Sequence, residues 1–278
     1  MAGTVTRSLG WLEYAARASR AIATQPYEGV QKAFDVVAQR RDRRRPPWPY
    51  EATEASEERL HALIGAHWPC DQRHGFEEVW KAALDDLAAR GLQVGRRAFG
   101  GQWDDADPLL GRLAWCLVRH LRPKRVAETG VGRGFTTRVL LEALERNGDG
   151  HLWSIDLPPL LERGLAQETG AAVPERLHER WTLLRGSSRR LLPNLVAILG
   201  QIDLFAHDSM HTARNLRFEL EQVWPALTPG GAMLIDDVED NVATGQFLQA
   251  HPETPAAIST SDDGEALIGW LLKPSRQT

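Results

Sequence analysis

From about residue 108 onward, short apolar runs alternate with amphipathic segments of helical period. The apolar runs predict strands at residues 126–129, 151–155, 181–184, 202–206 and 232–235. Helices are predicted around these strands at residues 108–121, 135–146, 160–167, 191–199 and 213–226. Strands that are joined by crossover helices form a parallel, doubly wound sheet.

The end of the chain breaks this alternation. Residues 256–260 and 266–272 have the pattern of two strands, and the turn sequence Asp262-Asp263-Gly264 separates them, which is typical of a hairpin. The predicted fold class is therefore α/β: a doubly wound, mostly parallel seven-stranded sheet with a C-terminal antiparallel hairpin and an N-terminal helical segment.

The first hundred residues have a different pattern. Apolar positions at helical spacing predict helices over residues 9–23, about 57–66 and 76–90, and the prolines of residues 46–49 indicate a boundary. We therefore expect a basic N-terminal helical segment with a Pro/Arg linker at residues 1–50, a helical cap region at 51–104 and the main domain at 105–278.

Charge adds a question about the first region. Residues 1–50 hold nine Lys/Arg against four Asp/Glu, so the rest of the chain, whose total is −4, carries a net charge of −9. A run of arginines suggests a nucleic acid or an anionic membrane as a partner: Arg40, Arg41, Arg43, Arg44 and Arg45. Because no aromatic side chains interleave with them and the body is acidic, a solvated linker is favoured over nucleic-acid binding, and peripheral membrane contact through the N-terminus stays open.

The composition of the chain indicates the cellular compartment in which it works. The two cysteines, Cys70 and Cys116, are too few for a disulfide framework, and the sequence has no Cys/His cluster with zinc spacing. The N-terminus lacks the apolar run of a signal peptide, and no stretch approaches the roughly 18 apolar residues of a membrane span. We expect a cytoplasmic protein.

A glycine-rich loop follows the first predicted strand. Residues 128–134 read Glu-Thr-Gly-Val-Gly-Arg-Gly, and Asp156 ends the next strand. Glycines at this spacing let the backbone turn tightly and approach a ligand at the start of the following helix, and an acid at the tip of the second strand holds a ribose. The third glycine comes one residue earlier than in Gly-x-Gly-x-x-Gly, so the loop predicts a nucleoside-containing cofactor without a pyrophosphate.

A group of acids follows the fourth and fifth predicted strands: Asp208, Asp236 and Asp237. Because the carboxyl ends of parallel strands open onto the same crevice, these carboxylates converge and repel one another unless a positive charge lies between them. Oxygen ligands without a thiolate favour a hard divalent ion, Mg²⁺ first, with Mn²⁺ and Ca²⁺ as alternatives.

Four segments in order resemble the class I S-adenosylmethionine-dependent methyltransferases: residues 126–132, 154–159, 207–211 and 229–237. The resemblance covers roughly residues 105–273. Within the class, these segments look like the small O-methyltransferases related to catechol O-methyltransferase and to the macrocin-type sugar O-methyltransferases. The resemblance implies a Rossmann-like methyltransferase fold, S-adenosyl-L-methionine as the cofactor and a small-molecule acceptor.

The resemblance also implies roles for individual residues. The amino-acid part and the ribose of the cofactor are assigned to Glu128, Gly130, Gly132 and Asp156. The adenine is assigned to Gly186, Ser187 and Ser188, although an ordinary turn and helix cap is the alternative for the two serines. The macrocin-type relatives hold a divalent metal with an aspartate at each of the positions 208, 236 and 237.

His211 stands three residues beyond Asp208, where the macrocin-type relatives place a histidine, and the catechol-type ones a lysine, as the base that takes the proton of the acceptor hydroxyl. An unperturbed pKa of about 6.5 leaves a histidine mostly neutral near pH 7. The alternative is that His211 caps a helix or bonds a carboxylate. His207 is the rival base, although its place at the end of a strand suggests inward packing or a role around the metal. His211 and Asp208 are the expected catalytic side chains.

Three nearby residues have less specific signals. Asp240 and Asn241 either supply a further metal ligand or substrate contact, or they form an acidic helix start. We favour the helix start. Trp103 lies over the acceptor or packs in the core.

The sequence thus leads to one hypothesis and two alternatives. The hypothesis is an S-adenosylmethionine-dependent, divalent-metal-assisted O-methyltransferase that acts on a hydroxyl of a sugar or small natural product, in an assembly of identical subunits. The first alternative is a metal-independent N- or C-methyltransferase or a repurposed methyltransferase fold. The second is a non-catalytic binding module.

Overall fold

The structure is a computed structural model that describes residues 25–92, 94, 107–157 and 163–275. Its strands are β1 Arg125–Thr129, β2 His151–Asp156, β3 Trp181–Arg185, β4 Ile202–His207, β5 Leu227–Ile235, β6 Ala256–Thr260 and β7 Leu267–Leu272. They form one seven-stranded sheet in the order β3-β2-β1-β4-β5-β7-β6. Strands β1 to β5 pair in parallel, whereas β7 pairs antiparallel with both β5 and β6. The predicted doubly wound sheet with a C-terminal hairpin is confirmed.

Helices pack on both faces of the sheet. Along the described residues they are α1 Pro26–Asp42, α2 Ser56–Leu63, α3 Arg73–Ala89, α4 Pro108–Leu121, α5 Phe135–Asn147, α6 Arg163–Glu168, α7 Ser188–Leu199, α8 Ala213–Val223 and α9 Ala243–Ala250. One apolar layer joins α4 and α5 to the sheet, and the other joins α7 and α8 to its opposite face. Within the described ranges, none of the helices combines the length and the apolar composition that crossing a lipid bilayer requires.

Helix α4 shows how local sequence builds this core. The Asp107 carboxylate accepts a hydrogen bond from the Leu109 amide at 2.7 Å, and Pro108 occupies the first turn, where a missing amide hydrogen costs nothing. Residues 109–118 are all buried. Helix α4 is therefore a core element that leads directly into the central strand β1.

Several boundaries differ from the sequence-based expectation. Residues 229–231 were expected to turn the chain before the fifth strand, but they lie inside β5. Gly231 makes this path possible because a side-chain carbon there would lie 2.8 Å from the backbone oxygen of Asp203, next to a register shift between β4 and β5. Helix α7 begins at Ser188 rather than at residue 191, and only the start of α9, at residues 240 and 241, had been expected.

Helix α1 packs against α8 at the carboxyl edge of the sheet. The Asp42 carboxylate accepts a hydrogen bond from the Ala213 amide at 2.8 Å, at the first residue of α8. Asp35 accepts one from the Arg214 guanidinium at 3.1 Å. The start of the expected linker thus belongs to α1, whose last turn contains Arg40 and Arg41. The helix expected at residues 9–23 lies outside the described residues.

Strand β1 lies between β2 and β4 at the centre of the sheet. The chain leaves β1 for a helix that returns to β2 on one side, and β4 lies on the other side. In doubly wound sheets, ligands bind outside the carboxyl ends of the strands at this reversal of direction. The segments that follow β1, β2, β4 and β5 therefore line the crevice in which a site is expected.

Candidate functional site

The glycine turn after β1 is packed against the end of β4. Gly130 has a φ of 87°, and a side-chain carbon there would lie 1.8 Å from the backbone oxygen of Asp208. The Asp208 amide donates a hydrogen bond to the Thr129 carbonyl at 2.8 Å. A residue larger than glycine would therefore separate the turn from the segment that carries the acids. Gly132 also has a positive φ, 51°.

Glu128 is fully buried beneath this turn. One carboxylate oxygen, Oε2, accepts hydrogen bonds from Ser154 at 2.6 Å and Thr137 at 2.8 Å. The other, Oε1, has no hydrogen-bond partner. Burial, with smaller contributions from Asp208 and Asp156, raises the pKa of Glu128 to about 8. The unpartnered oxygen can accept a hydrogen bond from a donor that a ligand brings into the crevice.

Asp156 holds the glycine turn from the tip of β2. Its Oδ1 accepts a hydrogen bond from the Val131 amide at 3.0 Å, and the side chain is buried. Its Oδ2 is also buried and has no partner. Burial raises the pKa of Asp156 above its ordinary value. The two unpartnered oxygens of Glu128 and Asp156 fit the ammonium and ribose hydroxyl groups of S-adenosylmethionine, which donate hydrogen bonds.

The segment after β3 is held by both β2 and α1. The Gly186 amide donates to the Asp156 carbonyl at 2.8 Å, and the Ser187 amide donates to the Glu28 carboxylate at 3.1 Å. Ser187 precedes α7, but its hydroxyl makes no capping bond and is buried without a partner. Ser188 donates to the side-chain oxygen of Asn215 at 3.3 Å. Of the two serines, Ser187 is thus the one whose hydroxyl remains available.

Beyond β4 and β5, the acids meet around one histidine. Donor atoms of Asp208, His211 and Asp236 lie within 4.8 Å of one another. A second group, within the same limit, joins His211 to Asp237 and Asp240. His211 makes a 2.6 Å hydrogen bond from Nδ1 to Asp237, and its Nε2 lies 3.6 Å from an Asp208 oxygen. The four aspartates therefore share His211 as their common neighbour.

The cluster carries unbalanced negative charge. Burial and the neighbouring carboxylates of Asp208 and Asp237 raise the pKa of Asp236 well above its ordinary value. Burial acts to lower the pKa of His211, but hydrogen bonds to Asp208 and Asp237 outweigh burial and raise it well above 6.5. The expectation of a neutral histidine near pH 7 therefore does not hold for the residues alone. A cation among the carboxylates would reduce the repulsion between them, and oxygen and imidazole donors suit a hard divalent ion.

His207 lies inside the protein. It is fully buried, and its Nδ1 is 2.7 Å from the carboxylate of Glu219 on α8, which also accepts hydrogen bonds from Thr129, Ser209 and Asn215. Burial acts to raise the pKa of Glu219, yet the interactions with His207, Ser188 and Thr129 lower it to about 2. The structure thus gives His207 an inward-packed position, whereas the side chain of His211 is 16 % exposed beside the crevice.

Sequence reasoning did not identify Glu219. Asn215 and Glu219 lie one helical turn apart on the buried face of α8, where the amphipathic pattern calls for apolar residues. Two polar residues at core positions of a helix were the available signal. Their function in the structure is to fix His207 and Ser209 on either side of Asp208.

Segments from the N-terminal region cover the far side of the acid cluster. The Tyr50 hydroxyl donates to the Asn241 carbonyl at 2.9 Å, and the Trp48 ring fills the space beside Gly245. The side-chain oxygen of Asn241 accepts a hydrogen bond from the Ala243 amide at 2.8 Å, at the start of α9. Asn241 therefore has the helix-start geometry, and Asp240 stays beside His211. Trp103 lies outside the described residues.

Comparisons with known proteins agree with this geometry. A family model described as a methyltransferase domain matches residues 127–238. A sequence search among curated proteins found no significant match.

Two solved structures illustrate the fold. The O-methyltransferase TomG from Streptomyces achromogenes, which is involved in tomaymycin synthesis and was solved with SAM, is 18 % identical, with a TM-score of 0.51 over 71 % of this chain and 90 % of TomG. The O-methyltransferase from Bacillus cereus, solved with SAH, is 14 % identical, with a TM-score of 0.51 over 77 % of this chain and 96 % of its own. At these identities, the likeness shows a shared fold.

The matched segment begins in β1 and ends just after β5, so it contains the glycine turn, Asp156 and the acid cluster. The fold around it is the seven-stranded fold with a reversed last strand that the methyltransferases use. A methyltransferase-domain model thus matches the segment that carries the site, and the sheet around it has the fold that solved O-methyltransferases share.

Proposed function

We propose that this enzyme is a divalent-metal-assisted O-methyltransferase that transfers a methyl group from S-adenosylmethionine to a hydroxyl of a sugar or small natural product. The observation that carries the proposal is the contact between Gly130 and Asp208. It joins a crevice suited to the methyl donor directly to a cluster of carboxylates and a histidine. Among class I methyltransferases, this combination supports the small O-methyltransferases of the catechol and macrocin type.

The donor half of the site consists of the glycine turn and three segments around it. Glu128 offers its unpartnered oxygen to the ammonium of the cofactor, and Asp156 offers one to the ribose. Ser187 offers its hydroxyl at the adenine end, and Gly186 and Ser188 flank it. When bound, S-adenosylmethionine supplies a methyl group that its own sulfonium charge activates, so the protein has to orient the donor and prepare the nucleophile.

The acceptor half consists of the acid cluster. Asp208, Asp236 and Asp237 would hold the divalent ion, Mg²⁺ being the best fit to their oxygen donors. When bound, the ion supplies Lewis acidity that favours the ionised form of an acceptor hydroxyl. Two neighbouring hydroxyls on the acceptor would suit such a centre, which favours sugars and polyhydroxylated natural products.

His211 is the base in this proposal. Asp237 bonds its Nδ1, which fixes the ring and leaves Nε2 to receive the proton that the acceptor oxygen loses as it gains the methyl group. His207 is held by Glu219 away from this position. Asp237 thus orients His211 in the way that a carboxylate orients a catalytic histidine in other enzymes.

Calorimetry on two variants tests the two halves separately. Asp156→Asn should weaken S-adenosylmethionine binding by about ten-fold or more, because a charged hydrogen-bond acceptor is lost. Asp208→Asn should abolish Mg²⁺ binding and leave the cofactor affinity within about two-fold, since Asp208 faces the acceptor side. Asp85→Asn, an exposed site on α3 paired with Lys81, is the control for both titrations.

Chelation separates the proposal from its alternatives. Release of S-adenosylhomocysteine should require Mg²⁺ when the enzyme is tested on a panel of sugars and vicinal diols. Turnover that survives complete metal removal would instead support a metal-independent N- or C-methyltransferase. Absence of cofactor binding would support a non-catalytic binding module.

Two further properties are also proposals. Helix α1 exposes apolar side chains at helical spacing, Tyr27, Val30, Phe34 and Val37, which favours an assembly of identical subunits through this face. Sedimentation of the full chain and of a Phe34→Glu variant tests that assembly.

The two free cysteines favour a cytoplasmic location, which fractionation of cells would check.

A further inference from the structure

Four potential metal ligands meet at a place that the methyl-transfer site does not use. His61 lies on α2, Cys70 precedes α3, and Cys116 and His120 lie one turn apart on α4. The Cys70 sulfur is 3.0 Å from the Cys116 sulfur and 3.5 Å from Nε2 of His120. Donor atoms of His61, Cys70 and His120 lie within 4.8 Å of one another. The sequence shows no zinc spacing, because three separate segments supply the cluster.

His61 is oriented as metal-bound histidines are. Its Nδ1 is 2.7 Å from the backbone carbonyl of Glu57. A carbonyl only accepts hydrogen bonds, so Nδ1 carries the proton and the lone pair of Nε2 is free. His61 is completely buried, and its Nε2 has no hydrogen-bond partner. A buried acceptor without a partner destabilises a fold, whereas a backbone carbonyl that holds Nδ1 is the usual outer support of a metal-bound imidazole.

We propose that His61, Cys70, Cys116 and His120 bind a structural Zn²⁺ ion. Two thiolates and two imidazoles form the donor set of closed, four-coordinate zinc sites, and they do not suit Mg²⁺. The sulfur atoms are 3.0 Å apart, well beyond the roughly 2.05 Å of a disulfide bond. The His120 side chain, 18 % exposed, gives the ion a path from solvent.

The bound ion would connect the N-terminal helical region to the core. Helix α2 and the segment before α3 supply two ligands, and α4, which is buried against the sheet, supplies the other two. A closed site of this kind has no open position for a substrate, so its effect is on stability rather than on methyl transfer. This ion is distinct from the one proposed at Asp208.

Metal analysis of the full chain, purified without a histidine tag or chelator, tests the proposal. Elemental analysis should find about one zinc per chain. The Asp208→Asn variant should keep this zinc, as should His74→Ala, whose side chain is exposed on α3. Cys116→Ser and His61→Ala should lose it. Loss of zinc from Asp208→Asn, with Cys116→Ser unaffected, would assign the ion to the other cluster and overturn the proposal.

Cobalt substitution provides a test that does not depend on the folding of a variant. Wild-type protein that is loaded with Co²⁺ should show thiolate-to-cobalt charge-transfer absorption and the intense visible bands of tetrahedral cobalt. Cobalt bands of the weak octahedral type alone would contradict the proposal. Two freely reactive thiols in the native zinc-loaded protein would also contradict the proposal. The absence of reactive thiols after denaturation and chelation would contradict it as well, because it would indicate a disulfide.

Discussion

Glu128 is placed at a cost to stability. The carboxyl group is fully buried, two hydroxyls bond one of its oxygens, and burial raises its pKa to about 8. The folded protein therefore binds the Glu128 proton more tightly than the unfolded chain does. Between pH 4.5 and pH 8, the unfolded chain has released this proton while the folded protein still holds it, so a rise in pH lowers the free energy of unfolding.

We expect Glu128→Gln to stabilise the fold while it impairs cofactor binding. The amide oxygen keeps the bonds from Ser154 and Thr137, and folding no longer requires the uptake of a proton. At pH 7, the free energy of unfolding should rise by about 1 to 3 kcal/mol, and the gain should vanish below about pH 4.5, where the carboxyl is protonated in the unfolded chain as well as in the folded protein. Urea unfolding across this pH range measures it. The assignment would be contradicted if the gain in the free energy of unfolding, Glu128→Gln minus wild type, were smaller at pH 7 than at pH 4.5.

His211 predicts a pH dependence of the reaction. The rate should rise as the imidazole loses its proton, and because the carboxylates that raise the pKa of His211 would also bind the divalent ion, the acid limb of the rate profile should move to lower pH as the Mg²⁺ concentration is raised. His211→Gln should remove this limb and lower kcat by about a hundred- to ten-thousand-fold, with cofactor affinity retained. Initial rates of S-adenosylhomocysteine release measure both effects. If His211→Gln loses Mg²⁺ binding as well, the histidine is a ligand rather than the base.

The sequence could predict site residues where local order along the chain determines the contact. The glycine turn and Asp156 meet because adjacent parallel strands end at one edge, and that follows from the pattern of strands and helices. Glu28, Glu219 and the Cys/His cluster could not be predicted, because their partners lie on distant segments. The pKa of His211 was also beyond sequence reasoning, since it depends on how closely Asp237 approaches the ring.

Among the elements, helix α1 connects the N-terminal region to the crevice. Glu28 is buried on this helix, and its carboxylate accepts hydrogen bonds from the Ser187 amide at 3.1 Å and from Arg190 at 2.6 Å. Burial acts to raise the pKa of Glu28, yet these bonds hold it below the ordinary value. Helix α1 therefore stabilises the turn that borders the adenine end of the proposed cofactor site.

We expect Glu28→Ala to loosen α1 and weaken the cofactor site together. The loss of two charge-assisted bonds should lower the free energy of unfolding by about 1.5 to 3 kcal/mol. It should also raise the Kd for S-adenosylmethionine, because the Ser187 turn loses its support. Hydrogen exchange should show faster opening of α1 and of residues 186–188. Glu54→Ala, at an exposed position, is the control, and equal exchange in both variants would contradict this role.

Element boundaries were predictable where helical and strand periods are long, and less so elsewhere. The predicted range of α4 coincides with the observed one because an N-terminal proline and a long buried run define it. Strand β5 begins earlier than expected, because Leu227 already pairs with β4 ahead of two glycines that usually mark a turn, and the pairing resumes at Ala232 after a register shift. Helix α9 is short, with only eight residues, so periodicity gave little signal for it.

At the scale of the whole molecule, Arg112 connects regions that are far apart in the sequence. Its guanidinium donates hydrogen bonds to Glu57, at the start of α2, and to Asp262, in the turn between β6 and β7. The side chain of Arg112 is 11 % exposed, whereas those of Glu57 and Asp262 are 19 % and 44 % exposed. Helix α2, the core helix α4 and the C-terminal hairpin thus share one ionic network.

Replacing Arg112 should therefore destabilise the fold as a unit. Arg112→Met leaves two carboxylates without their partner, and we expect a loss of about 2 to 4 kcal/mol in the free energy of unfolding, less than for a fully buried pair because Asp262 can be hydrated. Arg73→Met, which breaks an exposed pair with Glu77, should cost under about 1 kcal/mol.

Hydrogen bonds from Arg112 hold the pKa of Asp262 below its ordinary value, so this part of the stability is present above about pH 4 and is lost as the pH falls through the lowered pKa. Urea unfolding at pH 7 and at acidic pH should show the difference between wild type and Arg112→Met shrinking with acid; a difference that stays constant would mean that Arg112 acts through packing rather than charge.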